Sequence, residues 1–522
     1  TTELSFTKQL NNSTIQQFNT KEIDLLILQF QEELKNQGKP LVVSDVTDEE
    51  GNQYVDLVQE GGGVLGIALV GYTYVLEKMG IRFFSMAGTS AGSINTLLLA
   101  CCGRKETAKS PQIVEHLAAL DMFSFVDGKP GNSRFTRWTK KWIQRLVLRP
   151  QSLKRILSFV KWLFILLLLS SISCFVVNFF YPGIAKWLGL SATVLLLLAI
   201  GMVIWGLRRF RQIARSGYGL NSGHTFHQWL KDILDDCRIQ QDPLKGPINS
   251  LAALGEHFMQ VPKLKLKPDS RRPVQEPPHM PMLTLITCDI VSKLKIEFPR
   301  MWDLYWDRPE AVHPADFVRA SMSIPVFFEA YSQTGLRGKS NFDTWSRQVN
   351  WQNANRLIPD SSQFIDGGIL SNFPISIFYN PAYPVPRMPT FGIRLQDGII
   401  DAANRSNNSL FRYLFSVFST IRFHYDRDFI NRNRAFNRAV CSIDVRGYSW
   451  LNFFMTNEDK MALFRKGAEA AISFLKQFEW EQYKAERLDN ARIAEQQFDN
   501  PNNLDAFPFT SIHPGRPGPA SL

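Results

Sequence analysis

The chain has 522 residues, 45% hydrophobic, 12% aromatic and only 20% charged, which is ample for a large core and excludes an intrinsically disordered protein. A formal net charge of +11 fits an anionic partner, either nucleic acid or a phospholipid surface. The six cysteines, Cys101, Cys102, Cys174, Cys237, Cys288 and Cys441, lack metal-ligand spacing and disulfide-framework density, so they read as reduced thiols and no metal site is expected.

The polar start, Thr1-Thr2-Glu3, carries no signal-peptide pattern. Lys21 to Gln37 reads as a helix with Ile23, Leu26, Phe30 and Leu34 on one face, stopped by Gly38 and Pro40. A short strand at Tyr54–Val58 runs into the glycine run Gly61–Gly66, and a helix follows from about Ile67 to Lys78. A second strand, Phe83–Ala87, meets Gly88-Thr89-Ser90-Ala91-Gly92, and an apolar helix follows through Ala100. This strand–turn–helix alternation predicts a mainly parallel sheet covered by helices on both faces.

Two uncharged, mostly apolar runs come next, Trp162–Phe180 and Trp187–Leu207, with Tyr181-Pro182-Gly183 as a turn between them. As helices of 19 and 21 residues they would reach ~29 and ~32 Å, about one hydrocarbon core each. Basic residues flank both outer ends: Lys140, Lys141, Arg145, Arg149, Lys154, Arg155 and Lys161 before, and Arg208, Arg209, Arg211 and Arg215 after. The expectation is a transmembrane hairpin with both ends, and the catalytic domain, facing the cytoplasm. These basic residues border apolar runs and no nucleic-acid module is recognisable, so the expected partner is a membrane and not nucleic acid.

Beyond the hairpin, residues 263–281 read as a loop, Met282–Val291 as a strand and Pro314–Met322 as a short helix. Ser362–Ile365 is a strand ending at Asp366-Gly367-Gly368, and Thr390–Leu395 is another. Thr456 to Asp459 resembles a capping box with Asp in place of Glu, opening a core-facing helix to which no chemistry is assigned. From Asp499 on, Pro and Asn dominate and a disordered tail is expected.

Three motifs carry chemistry. Gly88 and Gly92 flank Ser90 in a G-x-S-x-G pattern between a strand and a helix, the setting of a nucleophile elbow that presents a serine hydroxyl at a helix N-terminus. The run Gly61, Gly62, Gly63, Val64, Leu65, Gly66 lies at the preceding strand–helix junction, where exposed N–H groups can hold an anion. It lacks the Lys-Ser or Lys-Thr of a phosphate loop and the acidic residue of a dinucleotide site, which leaves an oxyanion hole. Asp366, followed by Gly367 and Gly368, offers the base that a serine needs at neutral pH.

The order GGGVLG, GTSAG, DGG resembles the patatin-like phospholipases, as do the segments Val318–Phe328 and Phe364–Pro374. The resemblance implies a three-layer α/β patatin-like fold and a Ser–Asp dyad without histidine. Ser90 would be the nucleophile, Asp366 the proton acceptor, and the N–H groups of Gly61, Gly62, Gly63, Val64 and Gly66 the oxyanion hole, with no cofactor. Members often carry Arg or Lys where Leu65 stands, which bears on headgroup preference. The implied organisation is an N-terminal polar segment and helix over 1–50, a catalytic part over 51–135, basic flanks and hairpin over 136–215, a second catalytic part over 216–490, and a tail over 491–522.

The expected function is a membrane-associated serine lipid acyl hydrolase of phospholipase A or lysophospholipase type, acting on a phospholipid or another acyl-ester lipid. The same dyad would also serve an acyltransferase or a triacylglycerol lipase. A silent membrane-anchored scaffold is the alternative of another class. A Ser90–Asp366–His424 triad fits the chain order of an α/β-hydrolase, but that fold sets its nucleophile after several strands, and Ser90 follows only the second.

Overall fold

The computed structural model describes residues 20–128, 133–148, 158–159, 161–170, 172–173, 176, 182–215, 218–236, 246–268, 280–350, 358–396 and 410–499. Helix α1 is Lys21–Asn36, with Ile23, Ile27 and Phe30 buried. Strand β1 (Gln53–Gln59), helix α2 (Ile67–Lys78), strand β2 (Ile81–Thr89) and helix α3 (Ala91–Cys101) follow in the expected alternation. After the polypeptide has passed through helices α4 (Ser133–Leu148) and α5 (Pro182–Arg215), the sheet resumes with β3 (Leu283–Asp289) and β4 (Leu294–Phe298). Then come helix α6 (Pro314–Ser321) and strands β5 (Tyr331–Thr334), β6 (Ser361–Asp366) and β7 (Thr390–Gln396). Helix α7 (Leu410–Arg432), strand β8 (Val440–Asp444) and helices α8 (Asn457–Gln477) and α9 (Trp480–Asp499) complete the described chain.

The strands form one mixed sheet in the order β8-β7-β1-β2-β3-β6-β5. The five strands from β8 to β3 are parallel, while β4 and β6 pair antiparallel with β3, and β5 with β6. All nine residues of β2 are buried, as a central strand covered on both faces requires. Helix α2 is buried from Ile67 to Glu77 because α8 lies against it at backbone contact. A Cβ on Gly71 would sit 2.0 Å from the Phe464 carbonyl, and one on Gly467 1.9 Å from that of Ala68. The capping box at Thr456 and Asp459 is formed.

Among the described residues no helix is long and apolar enough to cross a membrane, so the two expected spans, 162–180 and 187–207, and the integral placement built on them are not supported. Of the first run, residues 162–170, 172–173 and 176 are described, and all of these are helical. The second run is the middle of a longer helix: α5 has 34 residues and continues onto Lys186 at one end and onto Arg208, Arg209, Arg211 and Arg215 at the other. Its apolar side chains are exposed, among them Trp187, Leu197 and Val203. Trp205 meets Trp138 of α4 edge-to-face, with ring centroids 6.3 Å apart.

Two further departures are local. Lys265–Leu266, inside the expected loop, pairs with Val46–Thr47. Helix α9 reaches Asp499, so residues 491–499, expected in the tail, are helical. It is fastened by a buried ion pair, Lys484 Nζ to Asp45 Oδ2 at 2.9 Å, and by Trp480 Nε1 donating to Asp45 Oδ1 at 2.9 Å. The tail beyond 499 lies outside the described residues.

Candidate functional site

The sheet register assembles the site. Strand β3 is flanked by β2 on one side, with Thr89 beside Ile286, and by β6 on the other, with Asp366 beside Thr287. Ser90 and Asp366 therefore emerge at one edge of the sheet. The Ser90 hydroxyl donates to Asp366 Oδ2 at 2.6 Å, between residues 276 apart in sequence. Both are buried. Ser90 has φ 52° and ψ −120°, a conformation that L residues rarely adopt. Strain of this kind is held only where the surroundings over-determine it, as at a nucleophile elbow. Gly92 is part of that constraint, since a Cβ there would lie 2.4 Å from the Gln59 carbonyl. The elbow is further pinned from α6: Ser90 N–H donates to Ser321 Oγ at 2.9 Å, and Ser321 Oγ donates to the Ile286 carbonyl at 2.6 Å.

Asp366 Oδ1 accepts from Gly368 N–H at 2.7 Å. Burial raises the Asp366 pKa above the ordinary carboxylate value, opposed by the Ser90 hydroxyl, the Arg422 charge and the Gly368 N–H. A carboxylate raised toward neutrality and bonded to a strained serine hydroxyl can accept its proton. His424 is exposed on α7, whereas Ser90 and Asp366 are buried.

The glycine run follows β1 at the same edge, and a Cβ on Gly61 would come 3.0 Å from Ser90 Cβ. Its amides are not equivalent. Gly61 N–H donates to the Asn372 carbonyl at 3.0 Å and Val64 N–H to the Trp450 carbonyl at 3.1 Å, so two of the five expected anion donors are already engaged. Gly62 is the N-cap and Gly63 the first residue of the 3-10 helix Gly63–Gly66, where N–H groups have no intrahelical partner. Gly63 has φ +57°, and a Cβ would lie 2.3 Å from the Trp450 carbonyl, so only glycine fits there. Gly66 lies farther along the turn, against Ala91. Ala91, first residue of α3, likewise has no helical partner for its N–H.

An apolar cavity opens beside Gly63 and Ala91 and runs between α2 and α3, with Ile67, Val70, Ile94, Leu98, Phe226 and Trp229 in its wall. Its apolar lining suits a hydrocarbon group.

Sequence reasoning did not single out Glu60, Ser321 or Asn372 for a role. Glu60 is buried, and burial raises its pKa against the opposing charge of Arg394. Glu60 Oε2 accepts from Leu395 N–H at 2.6 Å, and its Oε1 from Asn372 Nδ2 at 3.2 Å. Ser321 and Asn372 stand inside segments quoted for their resemblance, which was the available signal. Among the described residues no group of three or more His, Cys, Asp or Glu is placed to hold a metal ion.

The chain belongs to the patatin-like phospholipase family, whose model matches residues 57–379. Membership supports a lipid acyl hydrolase in general terms. A Bacillus subtilis (strain 168) protein described as uncharacterized protein YqhO is 24% identical over 427 residues, covering 81% of this chain and 99% of that protein. Among solved structures, VipD from Legionella pneumophila aligns with 84% of this chain and 70% of its own, at 14% identity and a TM-score of 0.34.

Proposed function

We propose that the protein is a serine lipid acyl hydrolase of phospholipase A or lysophospholipase type, working through a Ser90–Asp366 dyad. The observation that carries this reading is the 2.6 Å bond from a strained, buried Ser90 hydroxyl to a buried Asp366. Ser90 Oγ attacks the ester carbonyl carbon while its proton passes to Asp366 Oδ2. The oxyanion is received by the N–H groups of Gly62, Gly63 and Ala91. Collapse breaks the ester C–O bond, and Asp366 returns the proton to the departing alkoxide. Water then attacks the acyl-enzyme, losing its proton to Asp366, and the fatty acid leaves as Ser90 is reprotonated. The apolar cavity beside Ala91 takes the acyl chain.

The lipid is met at a surface. Trp162, Phe164, Trp187, Leu197 and Val203 are exposed apolar side chains, and α4, which meets α5 through Trp138 and Trp205, carries exposed Arg134, Arg137 and Lys141. Basic residues near an anionic leaflet contribute ~1 kcal/mol each. The test is incubation of the full chain with vesicles containing defined phospholipids, lysolipids and triacylglycerols, followed by mass spectrometry. Release of fatty acid from phospholipid or lysolipid by the wild type, and not by Ser90→Ala, is expected. Release that persists in Ser90→Ala, or transfer of the acyl group to an added alcohol with no free acid, would overturn the reading.

A further inference from the structure

The segment Ser371–Phe373 links the strand before Ser90, the glycine loop and the turn after Asp366. Thr89 Oγ1 donates to the Ser371 carbonyl at 3.0 Å, just before the nucleophile. Asn372 clasps the glycine loop from both sides: its carbonyl accepts from Gly61 N–H at 3.0 Å, and its Nδ2 donates to the Gly61 carbonyl at 3.1 Å. The segment is itself held from one helix, α7. Arg422 Nη2 donates to Asn372 Oδ1 at 2.8 Å. One turn on, Asp426 accepts from Ser371 Oγ and from Phe373 N–H, both at 2.8 Å. Residues four apart share a helix face, so α7 presents a two-point grip.

Arg422 also lies next to the dyad. A Cβ on Gly368 would sit 2.9 Å from Asp366 Oδ1 and 3.4 Å from Arg422 Nη2, so carboxylate and guanidinium border the same point. The charged and titratable groups around them include Glu60 and Asp426, both acidic, Arg394, which faces Glu60, and Lys295, whose charge acts on Asp426.

We infer that Arg422 is a positioning residue for this active site: through Asn372 it fixes the Gly61 loop beside Ser90, and its guanidinium borders the Asp366 carboxylate. The inference rests on the dyad reading above. The Asn372 side chain ties the start of the oxyanion loop in place, and its rotamer is held by the guanidinium at Oδ1 and by Glu60 at Nδ2. Misplacement on the scale of 1 Å at such donors costs about 100-fold in rate.

The test uses the full chain with Arg422→Gln and Arg422→Lys. It reads kcat and KM on a soluble short-chain ester from pH 4 to 9, labelling of Ser90 by a fluorophosphonate, and Tm. Arg422→Gln is expected to lower kcat about 10- to 100-fold with KM little changed. Its acid limb should move up by roughly one pH unit, because loss of a nearby positive charge favours the neutral carboxyl. Arg422→Lys should keep the acid limb in place and still lose kcat, because a point charge does not replace the planar fork. An acid limb and kcat unchanged in Arg422→Gln would overturn the inference. If that variant does not fold, Arg422→Lys decides, and wild-type kcat in it would equally overturn the inference. A wild type that is not labelled at Ser90 defeats the dyad reading itself.

Discussion

Replacing Asp366 by asparagine separates chemistry from architecture. The side chain keeps its size and can still accept from Gly368 N–H, which lies 2.7 Å from Oδ1. What is lost is the proton acceptor for Ser90, bonded at 2.6 Å. General base catalysis contributes ~10²–10⁴-fold, so a fall in kcat/KM of about 10³, or ~4 kcal/mol of transition-state stabilisation, is expected. Stability should move the other way. Burial holds the folded-state pKa of Asp366 above its unfolded value, so the group's favourable contribution is present at low pH and lost as pH rises. At neutral pH the buried carboxylate is a cost that the amide removes, and Tm should hold or rise. The assay is hydrolysis of a soluble short-chain ester at pH 7 beside thermal unfolding, with His424→Ala as a control that leaves activity within about twofold of wild type and Tm little changed. Activity within tenfold of wild type, or a Tm that collapses with activity, would refute the assignment of Asp366 as base. Comparable losses in His424→Ala would restore the triad.

Other outcomes follow from single residues. Leu98→Trp, in the cavity wall two turns along α3 from Ser90, should lower kcat/KM for long-chain esters about 10- to 100-fold while sparing short ones; an ester series of graded length checks it, and a uniform loss would argue against the acyl cavity. Asp426 is pushed from 3.8 to about 6, chiefly by burial. Its stabilising contribution is therefore full below the ordinary carboxylate range and is lost as pH rises through about 6, a change on the order of 3 kcal/mol. Urea unfolding of wild type and Asp426→Asn from pH 4 to 7 should show the wild-type advantage shrinking by that amount, and a pH-independent difference would count against it.

What was legible in the sequence is what depends on short-range order. The two strand–turn–helix units, the DGG turn after β6 and the Thr456 cap are each written in a few consecutive residues. The meeting of Ser90 with Asp366 was available only because three motifs occur together, since nothing local to either residue specifies a partner 276 positions away. The Arg422–Asn372–Gly61 chain and the Lys484–Asp45 pair join long-range residues through side-chain bonds, which leave no periodic trace. The N–H groups of Gly61 and Val64 could not be separated from those of Gly62 and Gly63 without the Asn372 and Trp450 carbonyls in place. The hairpin expectation arose from uninterrupted apolar composition, which describes side chains and not the extent of the helix carrying them. Composition still reported something physical, an exposed apolar surface on α5.

The claim that Ser90 is the nucleophile is tested most directly by reacting the full chain with a fluorophosphonate at neutral pH and mapping the adduct by peptide mass spectrometry. One phosphonyl group per chain is expected, on Ser90, with labelling suppressed in Asp366→Asn and absent in Ser90→Ala. An adduct on any other residue, or a chain that hydrolyses lipid while Ser90 stays unmodified, would contradict it.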